Sequence, residues 1–402
     1  MYIDKSALIT KLGTLFINRK ERGEKGLPVL SVTMNAGLVH RKTLDRKMAP
    51  DLSPEKSLLV EPGDVVYNMM RMWQGAVAVC EQRGVVSPAY VVCRPYGKID
   101  SLFAYYFFKT TRILHRLKSY SYGITGDRLR LYFKDFAAIP IHIPHLPKQK
   151  KIAAILATWD EALEQTRKLI DAKNRRKKAL MQQLLTGKKR LSGFSKSKGR
   201  NSYRFFDLPE DWKCSQIRDI AQEYSERNTG RDERTVLSCS KHLGFVESSE
   251  YFGKQVFSAD TSNYKVIRRN YFGYPSNHIE EGSIGLLLSH DIGIVSPIYT
   301  VFQCNDSVIP EYLYAVFKTV TFKHIFAIST NASVDRRGSL RWRAFSLIRV
   351  PLPSIKEQQA IVKVLNVVDN ELFQLERKLK KLEKQKRGLM QKLLTGEVRV
   401  SV

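Results

Sequence analysis

The fold is decided by residues 143–191, which open with Ile143-Pro144 and close near Leu184-Leu185-Thr186-Gly187. The same pattern returns 209 positions later without a gap, in residues 352–400, where it ends Leu393-Leu394-Thr395-Gly396. A repeat of this length indicates that the molecule is built as two copies of one plan.

Within each copy, apolar residues recur at alternating steps of three and four, which is the period of a helix that packs on another helix. Proline near the start and glycine after Leu-Leu-Thr are typical of helix ends. The pattern therefore predicts two long helices, over 148–187 and 356–397, that pair with each other as a coiled coil. Lysine interrupts the seam at Lys173, Lys177 and Lys386. Roughly 36 helical residues would make a rod about 55 Å long.

The composition predicts a partner that carries negative charge. Among 402 residues, 67 are Lys or Arg and 39 are Asp or Glu, which gives a formal net charge of +28. This excess favours nucleic acid as the partner, with an anionic membrane surface as the weaker alternative. No apolar run is long enough to span a bilayer and no signal-peptide pattern is present, so we expect a cytoplasmic protein. The five cysteines are widely spaced and form no Cys-x-x-Cys pair, so we predict no zinc site, disulfide framework or other metal site.

A mixed domain precedes each long helix. Short β-branched runs bounded by glycine, proline or aspartate predict strands at Val29–Thr33, Val65–Met69, Ala76–Val79 and Val85–Val92. An aromatic-rich run predicts one helix over Leu102–Leu117.

The landmarks of the first domain recur in the second. Gly84–Tyr90 is mirrored by Gly293–Tyr299, and Phe108-Lys109-Thr110 by Phe317-Lys318-Thr319, while the side chains between them differ widely. The lead-in Leu208–Trp212 has no counterpart in the first domain. One scaffold with different surface chemistry is what two readers of different sequences would show.

The sequence thus predicts an α+β protein with a pseudo-two-fold internal repeat. Its segments are a first α/β domain (1–147), a first helix (148–187), a flexible basic linker (188–204), a second α/β domain (205–355) and a second helix (356–397).

Signatures of catalysis are weak. Ser87-Pro88-Ala89-Tyr90 and Ser296-Pro297-Ile298-Tyr299 are similar to the motif that amino-methyltransferases present to a flipped base, but both lack its second proline. No glycine-rich turn for a nucleotide-like cofactor and no P-loop is present. Glu280-Glu281 could belong to a nuclease carboxylate cluster by proximity only, and a solvated turn is the favoured interpretation. These observations favour binding over catalysis.

The candidate DNA-contacting residues are polar, basic or aromatic side chains in loop regions, which are the groups that read base edges and hold phosphates. For each of them, a solvated or locally hydrogen-bonded surface group is the competing interpretation. The first domain offers Asn68, Arg71, Trp73, Gln74, Tyr120, Tyr122, Thr125, Arg128 and Arg130, and the second offers Lys241, His242, Asn277, His278, Asn331, Arg336, Arg337 and Arg341.

Two variable domains, each followed by a proline-led helix that ends Leu-Leu-Thr-Gly, resemble the DNA specificity subunit of type I restriction-modification enzymes, a bacterial defence system. The resemblance covers nearly the whole chain, and its most specific feature is the duplicated block that runs from Pro144 and Gln149 to Gly187. It implies two target recognition domains, each reading one half of a split, asymmetric site in double-stranded DNA. It also implies that the helices act as a spacer and as the dock for two methyltransferase subunits.

The same resemblance implies that the chain has no catalytic residues and no cofactor of its own. S-adenosylmethionine would be held by the methyltransferase subunits, and restriction subunits would join the full complex. Two other interpretations stay open from the sequence: a solitary basic DNA-binding or bridging protein, and, less favoured, a fused methyltransferase or nuclease. Two copies of one unit tend to be related by an approximate two-fold axis, and only an antiparallel helix pair would place one reader at each end.

Overall fold

The chain divides into two units, and both long helices contribute to both of them. The computed structural model describes residues 8–34, 36–44, 54–126, 128–194, 199–229, 233–241, 243–330 and 339–401. Unit 1 comprises Met1–Lys168 and Arg377–Val402, and unit 2 comprises Leu169–Glu376.

Unit 1 is built on short antiparallel strands. These are β1 (Leu8–Lys11), β2 (Phe16–Asn18), β3 (Leu30–Val32), β4 (Leu38–His40), β5 (Leu58–Val60), β6 (Val65–Asn68), β7 (Val77–Val79), β8 (Gly84–Val86), β9 (Tyr90–Pro95) and β10 (Pro140–Ile143). Its helices are α1 (Ser101–Phe108), α2 (Thr111–Ser119), α3 (Phe133–Ala138) and the first part of α4 (Leu146–Leu184). A four-stranded sheet runs in the order β2-β9-β6-β7, and β1-β10, β3-β4 and β5-β8 form separate pairs.

Unit 2 is also built of short antiparallel strands and short helices. The strands are β11 (Arg200–Tyr203), β12 (Phe206–Pro209), β13 (Lys213–Gln216), β14 (Ala221–Glu223), β15 (Leu237–Ser240), β16 (Gly244–Glu247), β17 (Lys265–Arg268), β18 (Phe272–Pro275), β19 (Gly285–Leu286), β20 (Ile292–Val295), β21 (Tyr299–Cys304) and β22 (Arg349–Leu352). The helices are α5 (Ile217–Ile220), α6 (Ser248–Phe252), α7 (Pro310–Phe317), α8 (Val320–Ser329), α9 (Trp342–Phe345) and α10 (Ile355–Thr395), whose last part belongs to unit 1.

The two units share one sheet topology. The four-stranded order β14-β21-β18-β19 matches β2-β9-β6-β7, and the pairs β13-β22, β15-β16 and β17-β20 match those of unit 1. Unit 2 also has the hairpin β11-β12, which contains part of the predicted lead-in. The internal repeat predicted from the sequence is therefore confirmed at the level of the fold.

Aromatic rings fill both cores. In unit 1 the ring centroids of Phe108 and Phe136 are 5.6 Å apart, and in unit 2 those of Phe272 and Phe302 are 4.8 Å apart and stacked. Full burial of one such ring stabilises the folded state by about 1.5–3 kcal/mol. These rings fix the sheets on which the loops of each unit are mounted.

The long helices are antiparallel, as the repeat predicted. In unit 1, Ile152 and Leu156 near the start of α4 share a buried cluster with Leu393 near the end of α10. In unit 2, Leu184 at the end of α4 shares a buried cluster with Ile361 near the start of α10. Within the described part of the chain, no helix is both long and apolar enough to cross a membrane.

The lysines that interrupt the seam reach acids on the other helix. Lys173 Nζ lies 2.6 Å from Glu371 Oε2, and this hydrogen bond is the main reason that the pKa of Glu371 is lowered. Lys177 pairs with Asp369 in the same way, and in unit 1 Lys386 pairs with Asp160. The lysines that interrupt the apolar seam thus form ion pairs between the two helices, and these pairs are consistent with the antiparallel register.

A buried glutamine joins the start of each long helix to the domain that precedes it. Gln149 accepts a hydrogen bond from the Asp100 amide at 3.0 Å and donates to the carbonyls of Lys98 and Pro144 at 3.0 and 2.8 Å. Its Nε2 and Oε1 therefore contact only main-chain atoms.

Gln358 repeats the arrangement in unit 2. It accepts from the Ile309 amide at 2.8 Å and donates to the carbonyls of Ser307 and Pro353 at 3.3 and 2.9 Å. The spacing between proline and glutamine that recurs in the sequence is therefore a structural joint.

Two local predictions need correction. The single helix predicted over Leu102–Leu117 is broken between α1 and α2, because Thr110 is extended (φ −73°, ψ 142°). The single strand predicted over Val85–Val92 is interrupted by a turn around Pro88, which the Tyr90 amide closes by donating to the Ser87 carbonyl.

Part of the predicted flexible linker is folded in unit 2. Arg190 binds Glu357 and Asp211, with its Nε 2.6 Å from Glu357 Oε1 and its Nη1 2.8 Å from Asp211 Oδ1. The indole of Trp212 also donates to Glu357, at 3.1 Å. Trp212, from the lead-in missing in unit 1, thus helps to position the carboxylate that binds Arg190 of the linker.

Candidate DNA interface

The first candidate loop of unit 1 connects β6 to β7. Met72 is buried and anchors a single 3-10 turn, which ends at Gly75 with φ 91°, a left-handed value that favours glycine. This anchoring leaves Arg71 and Gln74 exposed on either side of Met72. The loop thus presents one guanidinium and one amide to solvent.

Two other predicted residues of this loop have local partners. Asn68 Oδ1 accepts from the Met70 amide at 2.9 Å, and the Trp73 indole donates to the Met70 carbonyl at 3.0 Å. Lys118 Nζ lies 5.3 Å from the centroid of the Trp73 ring. These contacts stabilise the loop and occupy Asn68 Oδ1 and Trp73 Nε1. A role of Asn68 and Trp73 in binding DNA stays a prediction.

The second candidate loop of unit 1 spans residues 120–130. Tyr122 and Arg130 exchange two main-chain hydrogen bonds, at 2.9 and 2.7 Å, and the Arg128 amide donates to the Thr125 carbonyl at 3.0 Å. The Leu131 amide donates to the Met69 carbonyl at 2.9 Å, which ties the base of this loop to the first loop. The structure therefore brings the two predicted clusters of unit 1 together.

The exposed side chains of these two loops include three guanidinium groups. Tyr122, Thr125, Arg128 and Arg130 are exposed, whereas Tyr120 is half-buried. Among the described residues, Arg71, Arg128 and Arg130 take part in no ion pair. Unpaired guanidinium groups on adjacent loops suit contact with phosphates and with guanine edges.

The equivalent loop of unit 2 connects β18 to β19 and differs in charge. Ile279 is buried in the place of Met72, and Gly282 (φ 89°) ends the 3-10 turn in the place of Gly75. Glu281 Oε1 lies 3.7 Å from His278 Nδ1, and its Oε2 lies 3.7 Å from Lys241 Nζ.

The remaining predicted residues of unit 2 fall into two groups. Asn277 is half-buried and Arg341 is exposed at the start of α9. The Leu340 amide donates to the Ser276 carbonyl at 2.8 Å, which matches the tie between Leu131 and Met69 in unit 1. The predicted residues His242, Asn331, Arg336 and Arg337 lie outside the described residues.

One group of metal-ligating side chains occurs in this loop. Potential ligand atoms of His278, Glu280 and Glu281 lie within 4.8 Å of one another, with His278 and Glu281 exposed. Exposed acidic groups commonly cluster in this way without an ion. Glu280 is half-buried, and its Oε2 has no hydrogen-bond partner among the described residues.

Two lysines that the sequence analysis did not select lie between the candidate loops and the β-hairpin beside them. Lys109 follows α1 and donates to the Met34 carbonyl at 3.0 Å, and Lys318 follows α7 and donates to the Gly282 carbonyl at 2.9 Å. Their recurrence at an offset of 209 is visible in the sequence, but the recurrence alone indicates only a repeated helix.

Comparison with known proteins agrees with this architecture. The model of the type I restriction modification DNA specificity domain matches residues 9–173 and 209–384. The MjaVIII type I restriction enzyme specificity subunit of Methanocaldococcus jannaschii is 26% identical over 370 residues, covering 86% of this chain and 81% of that protein. A putative MjaX specificity subunit from the same organism is 26% identical over 286 residues, which cover 65% of this chain and 60% of that protein.

Solved structures have the same fold. The HsdS subunit of Thermoanaerobacter tengcongensis aligns with a TM-score of 0.53 at 14% identity, over 99% of both chains. The S subunit of a type I restriction-modification system from M. genitalium aligns with a TM-score of 0.56 at 16% identity, over 98% of both chains.

The chain belongs to the type I restriction-modification DNA specificity family. It is a DNA specificity subunit and part of a type I complex, and subunits of this kind are not catalytic. The family implies no cofactor in this chain.

Proposed function

We propose that unit 1 and unit 2 each read one half of a split, asymmetric target in double-stranded DNA, with recognition assigned to residues 1–147 and 205–355. This proposal is supported mainly by one observation: the two units have the same sheet topology, but their equivalent loops carry different side chains. Arg71 and Gln74 are exposed on either side of the buried anchor of one loop, whereas His278 and Glu281 are exposed at the equivalent positions of the other. Two equal scaffolds with unequal side chains suit two different half-sites.

The antiparallel helices then set the gap that is not read. Helix α4 is 39 residues long, which corresponds to about 58 Å. Half-sites on one face of a duplex are separated by about 34–36 Å per helical turn. A helix of this length is longer than one helical turn of DNA, as a spacer between two half-sites must be.

The partners would be two methyltransferase subunits, which bind S-adenosylmethionine and the reacting base, with restriction subunits added in the full complex. A surface for docking is available on the helices within unit 2. Leu169, Val367 and Phe373 are 45, 53 and 55% exposed, and the first two line a shallow groove of about 600 Å³. Exposed apolar side chains on a helix pair are typical of an interface with another chain.

Domain exchange tests the two-reader proposal. Residues 205–350 are replaced by the equivalent domain of a relative with a known target, and the methylated sites in host DNA are mapped by sequencing. One half of the target should change and the other half should stay the same. The reciprocal exchange of residues 8–142 should alter the opposite half, and a single exchange that changed both halves would contradict the proposal.

Copurification tests the docking surface. Phe373→Asp should reduce recovery of the methyltransferase subunit, whereas Gln359→Asp, an exposed change elsewhere on α10, should leave recovery unchanged. Equal recovery with both variants would remove this surface from the proposal.

A further inference from the structure

Each unit contains a lysine that lies between a β-hairpin turn and a 3-10 loop. In unit 1 these are the β3–β4 turn and the β6–β7 loop, and in unit 2 they are the β15–β16 turn and the β18–β19 loop. These residues, Lys109 and Lys318, are named the clamp lysines below. Both are half-buried and directly follow an aromatic-rich helix. They occupy equivalent positions of the internal repeat.

In unit 2 the clamp lysine bonds both loops. Lys318 Nζ donates to the Gly282 carbonyl at 2.9 Å and to the Lys241 carbonyl at 3.4 Å. Gly282 ends the 3-10 turn that presents His278, and Lys241 lies in the turn between β15 and β16. One ammonium group therefore links the two loops that carry the described candidate contacts at this end of unit 2.

In unit 1 the clamp lysine hydrogen-bonds the hairpin turn, and only its aliphatic stem lies beside the 3-10 loop. Lys109 Nζ donates to the Met34 carbonyl at 3.0 Å, in the turn between β3 and β4. Its stem passes Gly75, where a Cβ would lie 3.9 Å from Lys109 Cγ. The ammonium group also lies 3.0 Å from the Tyr105 hydroxyl, and its counterpart lies 5.2 Å from the centroid of the Tyr314 ring.

Both clamp lysines use carbonyls and rings where a carboxylate partner would be usual. Within the described chain neither lies in an ion pair. Burial lowers the pKa of both side chains, which is the cost of holding an ammonium group away from water. A lysine retained at such a cost in both halves of the repeat points to a role in holding the loops.

We propose that Lys109 and Lys318 are positioning residues for DNA recognition, each setting the relative placement of the two loops in its own unit. The inference rests on the proposed function, because it assumes that these loops read DNA. It requires no contact between the lysines and DNA. Each clamp lysine should affect only the half-site of its own unit.

The test uses the full chain together with its methyltransferase subunits. Lys318→Met keeps the length of the side chain and removes the ammonium group, and Lys318→Arg keeps the charge and the donors. Lys213→Met is the control, because it removes the same charge from an exposed side chain of unit 2. Lys109→Met provides the same comparison in unit 1. Methylated sites are mapped by sequencing, and hydrogen exchange is measured over residues 237–247.

We expect Lys318→Met to relax the half of the target that unit 2 reads, with roughly tenfold weaker discrimination at one or more positions, and to leave the other half intact. Exchange over residues 237–247 should become faster. Lys318→Arg and Lys213→Met should keep both halves, and Lys109→Met should relax the opposite half.

Three results would overturn the proposal. They are unchanged discrimination in Lys318→Met, equal loss with Lys213→Met, or loss of exchange protection across the four-stranded sheet, which would make the lysine a general folding residue. If instead both methionine variants relaxed the same half, the assignment of one half-site to each unit would fail. Domain exchange tests that assignment independently.

Discussion

The buried glutamine joints allow a quantitative prediction for each unit separately. In unit 2, Gln358→Ala removes the acceptor of the Ile309 amide and the donor to two carbonyls. Gln358 is fully buried. A buried donor left unpaired costs about 1–3 kcal/mol, whereas carbonyls that lose one of their partners cost less. We therefore expect the substitution to lower the free energy of unfolding of unit 2 by about 3 kcal/mol.

Gln149→Ala should have the same effect on unit 1, because Gln149, like Gln358, bonds to one main-chain amide and two main-chain carbonyls. Gln359→Ala is the matched control, since this neighbour is exposed on the same helix turn. Gln358→Glu adds a test of mechanism, because it keeps the acceptor but points a carboxylate at two carbonyls. The pKa of the new carboxyl should be raised in the folded protein. Destabilisation by the ionised carboxylate should therefore be absent at pH values below the pKa of glutamate in the unfolded chain, and it should grow as the pH rises above that pKa.

Urea titration followed by hydrogen exchange and mass spectrometry reports on the two units separately. Each alanine variant should lose protection in its own unit, and the double variant should show both losses added, because the sites share no partner. A loss below about 0.5 kcal/mol, comparable with an ordinary surface substitution, would refute the reasoning from unpaired groups. So would equal effects of Gln358→Ala and the control.

Further predictions concern the helices and the thiols. Leu372→Asp places a charge in the buried seam and should cost about 3 kcal/mol or more in thermal unfolding, whereas the exposed Gln374→Asp should be nearly neutral. Burial raises the pKa of Cys239 to about 12, so alkylation at pH 8 should be slow in the folded protein and fast after unfolding, as followed by mass spectrometry. Labelling at equal rates in both states would contradict that burial. Insertion of about four residues, one helical turn, at both Lys173 and Leu382 should lengthen the tolerated gap in mapped methylation sites without changing the bases read. Changed bases with an unchanged gap would show that the helices do not set the spacing.

The sequence predicts the long helices well because their cause is local and periodic. A seam of apolar residues, a proline-led start and a glycine after the end suffice to define α4 and α10, and the repeat leads to the antiparallel pair. The lysines of the seam could not be assigned in this way. Only the register of two distant segments shows that Lys173 meets Glu371, because nothing near Lys173 in the sequence identifies its partner.

The residues that contact DNA are harder to predict, because the same type of side chain can either hydrogen-bond within its own loop or stay free to contact a ligand. Arg71 and Asn68 are equally plausible from composition, yet Asn68 accepts from a main-chain amide two residues away and Arg71 faces solvent. The break between α1 and α2 is hard to predict from the sequence for a related reason. Aromatic residues continue across it, and the turn depends on the backbone of Thr110 rather than on a helix-breaking residue.

The glutamine joints have a consequence for inheritance. Through its amide group, Gln358 bonds only to main-chain atoms of the domain before it, so side chains at residues 307 and 309 can change without removing a partner. The same is true of Gln149 and residues 98 and 100. A joint of this kind accepts any domain that brings its backbone to the same place. Recombination between related genes could therefore exchange a whole domain while the helix and its joint persist, and new specificity would arise in one step rather than by gradual substitution.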